Sequence, residues 1–341
     1  MKKTISLISM LMLLFLFVGC DNNIQTVVIY TSVDRVYSEI IFKDFERETG
    51  IKVLPVYDIE ANKTVGLTKR LLLEKKRPRC DVFWNGEITN TIKLKNENIL
   101  QPYQHIYKTT VNRNYIDEDN MWIAFGGRTR VFLINKDLIS QKEYPTSFSD
   151  LYKNKDSYTK GMANPVFGTS NTYAIGVYTL LGKEKGYKVF LDIANSDIKI
   201  VTGNSVVRDL VISGQMAYGI TDTDDAIVAL NKSNNIDIVF IDQQENEKGT
   251  LVIPNSVALI KGGPNNKNGK IFIDYILKAE TIQKMIDIGW IQINIQDNRY
   301  VDKKLISFLN NKPIKVMDVN YNDIQKYFKK VNKDMKNLFL Q

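Results

Sequence analysis

Three observations predict an α/β protein of two lobes. Short β-branched runs alternate with amphipathic helical stretches from Val27 onward, a rhythm that implies mostly parallel sheets flanked by helices on both faces. The second half of the chain repeats that rhythm with strands and helices of its own. No Gly/Ser-rich linker separates the halves, so the chain is expected to cross between the lobes more than once.

The elements follow in order. Val27–Tyr30 reads as a first strand. Thr31–Asp34 is rich in capping side chains, and Val36, Ile40, Ile41 and Phe45 recur at helical spacing until Gly50 stops the helix. Ile51–Tyr57 is a second strand, Lys63–Lys75 a charged amphipathic helix, and Cys80–Trp84 a third strand. Further on, Val131–Ile134, Ile198–Val201, Met216–Ile220 and Val252–Ile260 read as strands. Tyr173–Leu181, Ser205–Ile212 and Phe272–Leu277 read as helices, and a charged helix lies beyond Asp318.

The first residues have a different character. Lys2 and Lys3 precede an almost wholly apolar run, Ile5–Val18, followed by Gly19 and Cys20. That order is an export signal, and the run is short for a membrane span. Residues 1–19 are therefore expected to be removed. The segment Leu16–Cys20 resembles the lipobox of bacterial lipoproteins, with Phe17 where such a box usually has Leu. The resemblance implies a diacyl group on Cys20, two chains being what stable anchoring needs, and residues 20–26 as a tether.

Composition excludes several classes. The formal charge is +8, mild for a chain long enough to form two ordinary domains. Basic residues read as scattered, without interleaved aromatics, so nucleic acid is not indicated. With Cys20 lipidated, only Cys80 remains, and an intramolecular disulfide is impossible; Cys80 reads as a buried, inert thiol. The single histidine, His105, lies in a polar stretch and reads as an exposed loop residue. One histidine rules out a His-rich zinc site, and no nucleophile-elbow sequence accompanies it, so nothing suggests an enzyme.

Several segments then resemble the periplasmic solute-binding proteins of ABC importers, closest to their ferric-iron-binding branch. They are Val28–Asp34, Phe45–Val53, Val56–Ala61, Asp81–Glu87, Trp122–Val131, Asn164–Thr172, Gly203–Val206, Ile220–Asp225 and Pro254–Ile260. The resemblance implies a type II clamshell with two hinge-strand crossings, near Arg130–Asn135 and Val252–Ala258. Lobe 1 would comprise residues 27–129 and about 253–290; lobe 2 would comprise 130–252 and about 291–341, including C-terminal helices. A ligand in the cleft would favour the closed form. The partners implied are a membrane permease and its ATPase subunit, the chain itself being a monomer without a Gly-x-x-x-x-Gly-Lys-Ser/Thr sequence. It would be lipid-anchored, facing the periplasm or the cell exterior.

In ferric-binding relatives a histidine, a glutamate and a tyrosine pair hold the metal. Their positions fall here on Asp34, Glu87 and Asp224–Asp225, so the tyrosines are absent. Carboxylates are hard oxygen donors, and Asp34, Glu87, Asp222, Asp224 and Asp225 are expected to converge on a metal ion or an amine. The plainer reading makes Asp222 a helix cap in a solvated acidic turn and Glu87 a first-turn helix glutamate. Thr169, Ser170 and Asn171 open one helix and Asn204 and Ser205 another, where free N–H groups bind anions. With Ser32, Arg128 and Arg130 they form the expected anion-binding set, against a plainer reading of N-caps and structural ion pairs. Tyr30 and Trp84 end strands at the expected cleft edge, to stack on a ligand or to pack within the lobe.

The leading reading is a receptor for ferric iron with a companion anion and no resident cofactor. The alternatives are a polyamine, another small organic, zwitterionic or phosphorylated solute, or a surface lipoprotein without a transport role.

Overall fold

Side chains of the first strand alternate as a half-covered strand requires: Val27 and Ile29 are buried, while Thr26 and Val28 are half-buried. The computed structural model describes residues 24–58, 65–106, 113–153, 157–295, 299–309 and 313–340. The leader, Cys20 and Lys63 lie outside the described residues.

The first half contains β1 (Thr26–Thr31), α1 (Arg35–Thr49), β2 (Lys52–Tyr57), α2 (Val65–Leu73), β3 (Val82–Asn85), α3 (Thr89–Asn96) and the long β4 (Ile123–Asn135). Next come α4 (Asp150–Lys153), β5 (Lys160–Ala163), α5 (Gly168–Leu181), α6 (Lys183–Ala194), β6 (Lys199–Val201) and α7 (Asn204–Ile212). They are followed by β7 (Tyr218–Asp222), α8 (Thr223–Lys232), β8 (Ile236–Phe240) and β9 (Val252–Leu259). The chain ends with α9 (Asn266–Ile276), α10 (Ala279–Asp287), β10 (Ile293–Asn294), β11 (Arg299–Tyr300), α11 (Lys303–Leu309) and α12 (Gln325–Phe339).

The strands run in the order β2-β1-β3-β9-β4-β7-β5-β6, with β8 and β10 also on β4. β1 pairs in parallel with β2 and β3, and β5 in parallel with β6 and β7. These are the two mostly parallel sets that the alternating pattern predicts. Antiparallel β4 and β9 join them. The first half of β4 pairs with β9, and from Arg130 onward it pairs with β7 and β8. The molecule is thus two-lobed, with β4 and β9 as its crossing strands. Their approach is tight at Gly127, where an added Cβ would lie 2.6 Å from the Ile253 carbonyl oxygen, so only glycine fits.

α1 ends as expected at Gly50, which has φ 71° and donates its N–H to the Glu46 carbonyl. Its buried stripe is Ser38, Ile41, Phe42 and Phe45, so Val36 and Ile40 face outward rather than into the core. Phe45 packs edge-on against Phe272 and Tyr275 of α9, at centroid distances of 5.1 and 5.2 Å. The C-terminal helix is also tied down: Tyr178 Oη donates to Asp334 Oδ2 at 3.0 Å.

Three sequence expectations change. His105 is buried, because the 101–106 segment folds back onto the sheet through Gln101 N–H to Leu259 O and Tyr103 N–H to Asn120 O. Trp84 is fully buried between Phe42 and Trp290, at 5.7 and 5.3 Å. Tyr30 is buried too, its hydroxyl donating to Glu74. Both aromatics pack inside their lobe and neither is offered to a ligand. Cys80 is as expected: buried, with burial holding its thiol well above the usual range.

Phe45→Ala should lower stability by about 3–5 kcal/mol, because it opens a cavity beside two rings. Urea denaturation checks this, and a loss under about 1 kcal/mol would contradict the packing described.

Candidate functional site

Parallel strands deliver the following helices to one sheet edge, and the site is built there. β5, β6 and β7 lead into α5, α7 and α8. Each helix start carries N–H groups with no partner inside its own helix and the positive end of a dipole. Asp222, the last residue of β7, fills the space between them. Its side chain does not cap α8. Thr169 Oγ1 of α5 donates to it at 2.6 Å and Asn204 Nδ2 of α7 at 2.9 Å. Arg130 Nη1 donates at 2.6 Å and Arg128 Nε at 3.4 Å. Burial opposes ionisation of Asp222, but Arg130 and Arg128 outweigh it and hold the carboxyl below its usual range.

Arg130 has no solvent exposure at all. It also donates to Asn204 Oδ1 at 3.0 Å and to Ser170 Oγ at 3.3 Å, while its Nε has no partner. Arg128 reaches across the seam between the lobes. Its Nη1 donates to the Gly86 carbonyl at 3.1 Å, and its Nε lies 3.8 Å from Asp224, whose side chain is 43% exposed. Asp225 pairs with Arg208 at 2.9 Å. Burial, then the neighbouring Asp224 and Asp222, push its carboxyl up to about 7.

Glu87 belongs to the other lobe and is also saturated. It accepts from the backbone N–H of Thr89 at 2.6 Å and of Asn90 at 3.0 Å, so it caps α3. Thr172 Oγ1 of α5 donates to it across the seam at 3.3 Å. Ser32 Oγ donates to Asn85 Oδ1 at 2.6 Å and accepts from Gly86 N–H at 2.9 Å, which shapes the loop that Arg128 meets. Asn171 is buried and donates to the Pro165 carbonyl. Asp34 and Ser205 are exposed, at the starts of α1 and α7.

The carboxylates therefore do not assemble as expected. Asp34, Glu87, Asp222, Asp224 and Asp225 do not converge, and among the described residues no group of three or more His, Cys, Asp or Glu is placed to hold a metal ion. The reason is charge balance. Asp222, Asp224 and Asp225 face Arg128, Arg130 and Arg208, so each acid has a guanidinium beside it. The expected anion set does come together at Thr169, Ser170, Asn204, Arg128 and Arg130, but the carboxylate it holds is the protein's own. Sequence reasoning missed Arg208, Thr172, Asn85 and Thr89. A polar residue at the end of an apolar strand, as at Asn85, was the available signal.

The family model for bacterial extracellular solute-binding proteins matches residues 90–321. The chain belongs to that family. Members of this family are receptors for solutes, not enzymes. The chain is 23% identical over 262 residues to a periplasmic protein of Salmonella typhimurium named for 2-aminoethylphosphonate binding, covering 75% of this chain and 74% of that one. It is 25% identical over 269 residues to the iron uptake protein A1 of Synechocystis, covering 74% and 71%. The ferric binding protein from Campylobacter jejuni has the same fold, with a TM-score of 0.80 at 21% identity, covering 92% of this chain and 99% of that one.

Replacing Arg130 by Met should cost about 3–5 kcal/mol, because Asp222 is left charged and buried. Combining Arg130→Met with Asp222→Leu should recover part of that loss. Denaturation of the three variants checks this, and additive losses would contradict the pairing.

Proposed function

We propose that the chain is the lipid-anchored receptor of an ABC importer, and that it captures a small zwitterionic solute at the seam between its lobes. The observation that carries the ligand class is the partly exposed pair Arg128 and Asp224, 17% and 43% exposed and 3.8 Å apart. A guanidinium reads a phosphonate, phosphate or carboxylate, and a carboxylate reads an amine. The inner charges are already neutralised in pairs, so a ligand carrying one charge of each sign leaves the seam balanced when buried. The name of the Salmonella relative, an aminophosphonate binder, supports this class. The lobes would close over the solute, and the loaded form would dock on a permease.

Ferric iron is the second reading, and the fold shared with ferric-binding proteins favours it. A trivalent ion needs an excess of anionic oxygen donors, whereas Asp222, Asp224 and Asp225 each lie beside a guanidinium. The anchor rests on the Gly19–Cys20 junction and on the two lysines ahead of the apolar run. Among the described residues no helix is long and apolar enough to cross a membrane.

Melting temperatures of metal-stripped protein with 2-aminoethylphosphonate, spermidine, a hexose phosphate and ferric citrate test the ligand. The aminophosphonate should raise the melting temperature, and Arg128→Ala or Asp224→Ala should remove the rise. A rise with ferric citrate alone would overturn the zwitterion reading.

A further inference from the structure

The positive charge of the chain is not scattered. Residues 69–79 carry Lys69, Arg70, Lys75, Lys76, Arg77 and Arg79 against the single acid Glu74, a net +5 where the whole sequence has +8. The acid is occupied: Arg70 Nε pairs with Glu74 at 2.8 Å, and the Tyr30 hydroxyl donates to it. Lys75, Lys76, Arg77 and Arg79 are all exposed. Leu73, at the end of α2, is 88% exposed, more than any other large apolar side chain among the described residues. Leu71, Glu74, Lys75 and Pro78 of the same segment border an open groove of about 340 Å³. Leu71, Pro78, Ile99 and Ile260 form its apolar wall, and Lys75 and Lys261 stand on its rim. Lys75 and Lys261 each use one donor locally, on the Glu97 carbonyl and on Asn98 Oδ1, and an ammonium has three.

The chain's entry point lies at the same end of the molecule. Thr26 opens β1, and its carbonyl accepts from Asn268 Nδ2 at 2.8 Å. Asp81 joins that corner to the groove. Its carboxylate accepts from Val28 N–H at 2.8 Å and from Asn265 Nδ2 at 3.0 Å, and its carbonyl accepts from Ile260 N–H at 2.8 Å. A Cβ built on Gly262 would lie 3.6 Å from Pro78 Cγ. The six Cα-to-Cα steps from Cys20 to Thr26 span at most about 20 Å when extended. A chain acylated at Cys20 therefore holds this end against the bilayer, where cationic side chains meet anionic headgroups within a Debye length.

We infer that the Leu73–Arg79 segment and the adjoining groove form a membrane-resting face that binds anionic phospholipid, with phosphate on the lysines and arginines and apolar chain against the groove wall. The orientation rests on the acylation of Cys20 proposed above; the charge and the apolar groove do not.

The test uses the full mature chain carrying C20S, which has no acyl group, so its outcome is independent of the anchor. It should sediment with phosphatidylcholine vesicles containing about one third phosphatidylglycerol and remain free of pure phosphatidylcholine vesicles. Binding should fall as salt rises. The triple change K76E/R77E/R79E should weaken it by roughly a hundredfold or more, with an unchanged melting temperature. K76R/R77K/R79K should bind as C20S does. Equal binding to both vesicle types, or undiminished binding by the glutamate variant, would overturn the inference. So would failure to bind anionic vesicles, the result expected if the face served an acidic protein surface. Detergent-phase partitioning of the wild-type chain tests the anchor separately.

Discussion

The ion pair between Asp222 and Arg130 is the constraint on which the rest of the structure depends. A carboxylate that is 2% exposed and a guanidinium with no exposure are each costly to take out of water, by several kcal/mol apiece. They persist because every part of the second lobe contributes. Thr169 and Asn204, side chains from the starts of two helices, donate to the carboxylate, and the guanidinium is 2.6 Å away. Arg130 also stands where β4 leaves β9 and joins β7 and β8. Its carbonyl accepts from Thr250 Oγ1 at 2.9 Å, just ahead of the second crossing strand. The residue that neutralises the site also pins both crossings.

This arrangement decides what remains for a ligand. A helix-start pocket of this kind is a ready anion site, and Asp222 fills it from within. Arg208 takes Asp225, and the cap of α3 takes Glu87. What stays accessible at the seam is one cation and one anion, Arg128 and Asp224, held side by side. Arg128 also touches the Gly86 carbonyl of the opposite lobe. A solute that engages it therefore acts at the contact between the lobes, which is how binding becomes closure.

Much of the fold was legible because a strand buried on both faces leaves a nearly unbroken apolar run. β1, β7 and β9 stand within two residues of their predicted bounds. Only Val131–Ile134 of β4 is legible, because Gly126, Gly127, Arg128 and Arg130 interrupt the apolar pattern ahead of it; pairing with β9 makes that half a strand. Of the two readings open for Tyr30 and Trp84, packing within the lobe is the one the fold takes. Strand ends do meet the seam, but Ser32 and Asn85 face it while the aromatics face the core. The site was legible as a set of residues and not as a network. Asp222 meets Arg130 across 92 positions and Thr169 across 53, and no local periodicity encodes such pairs. The sequence shows the acids and the arginines; only the fold shows that they cancel.

The central claim is that the seam recognises two opposite charges at once. Isothermal titration with 2-aminoethylphosphonate, and with ethylphosphonate and ethylamine as its single-charge analogues, tests this most directly. The account predicts measurable binding of the aminophosphonate and roughly hundredfold or weaker binding of each analogue, because each analogue engages only one of the two opposite charges that Arg128 and Asp224 present. Equal affinity for an analogue, or no aminophosphonate binding beside tight ferric binding, would contradict it.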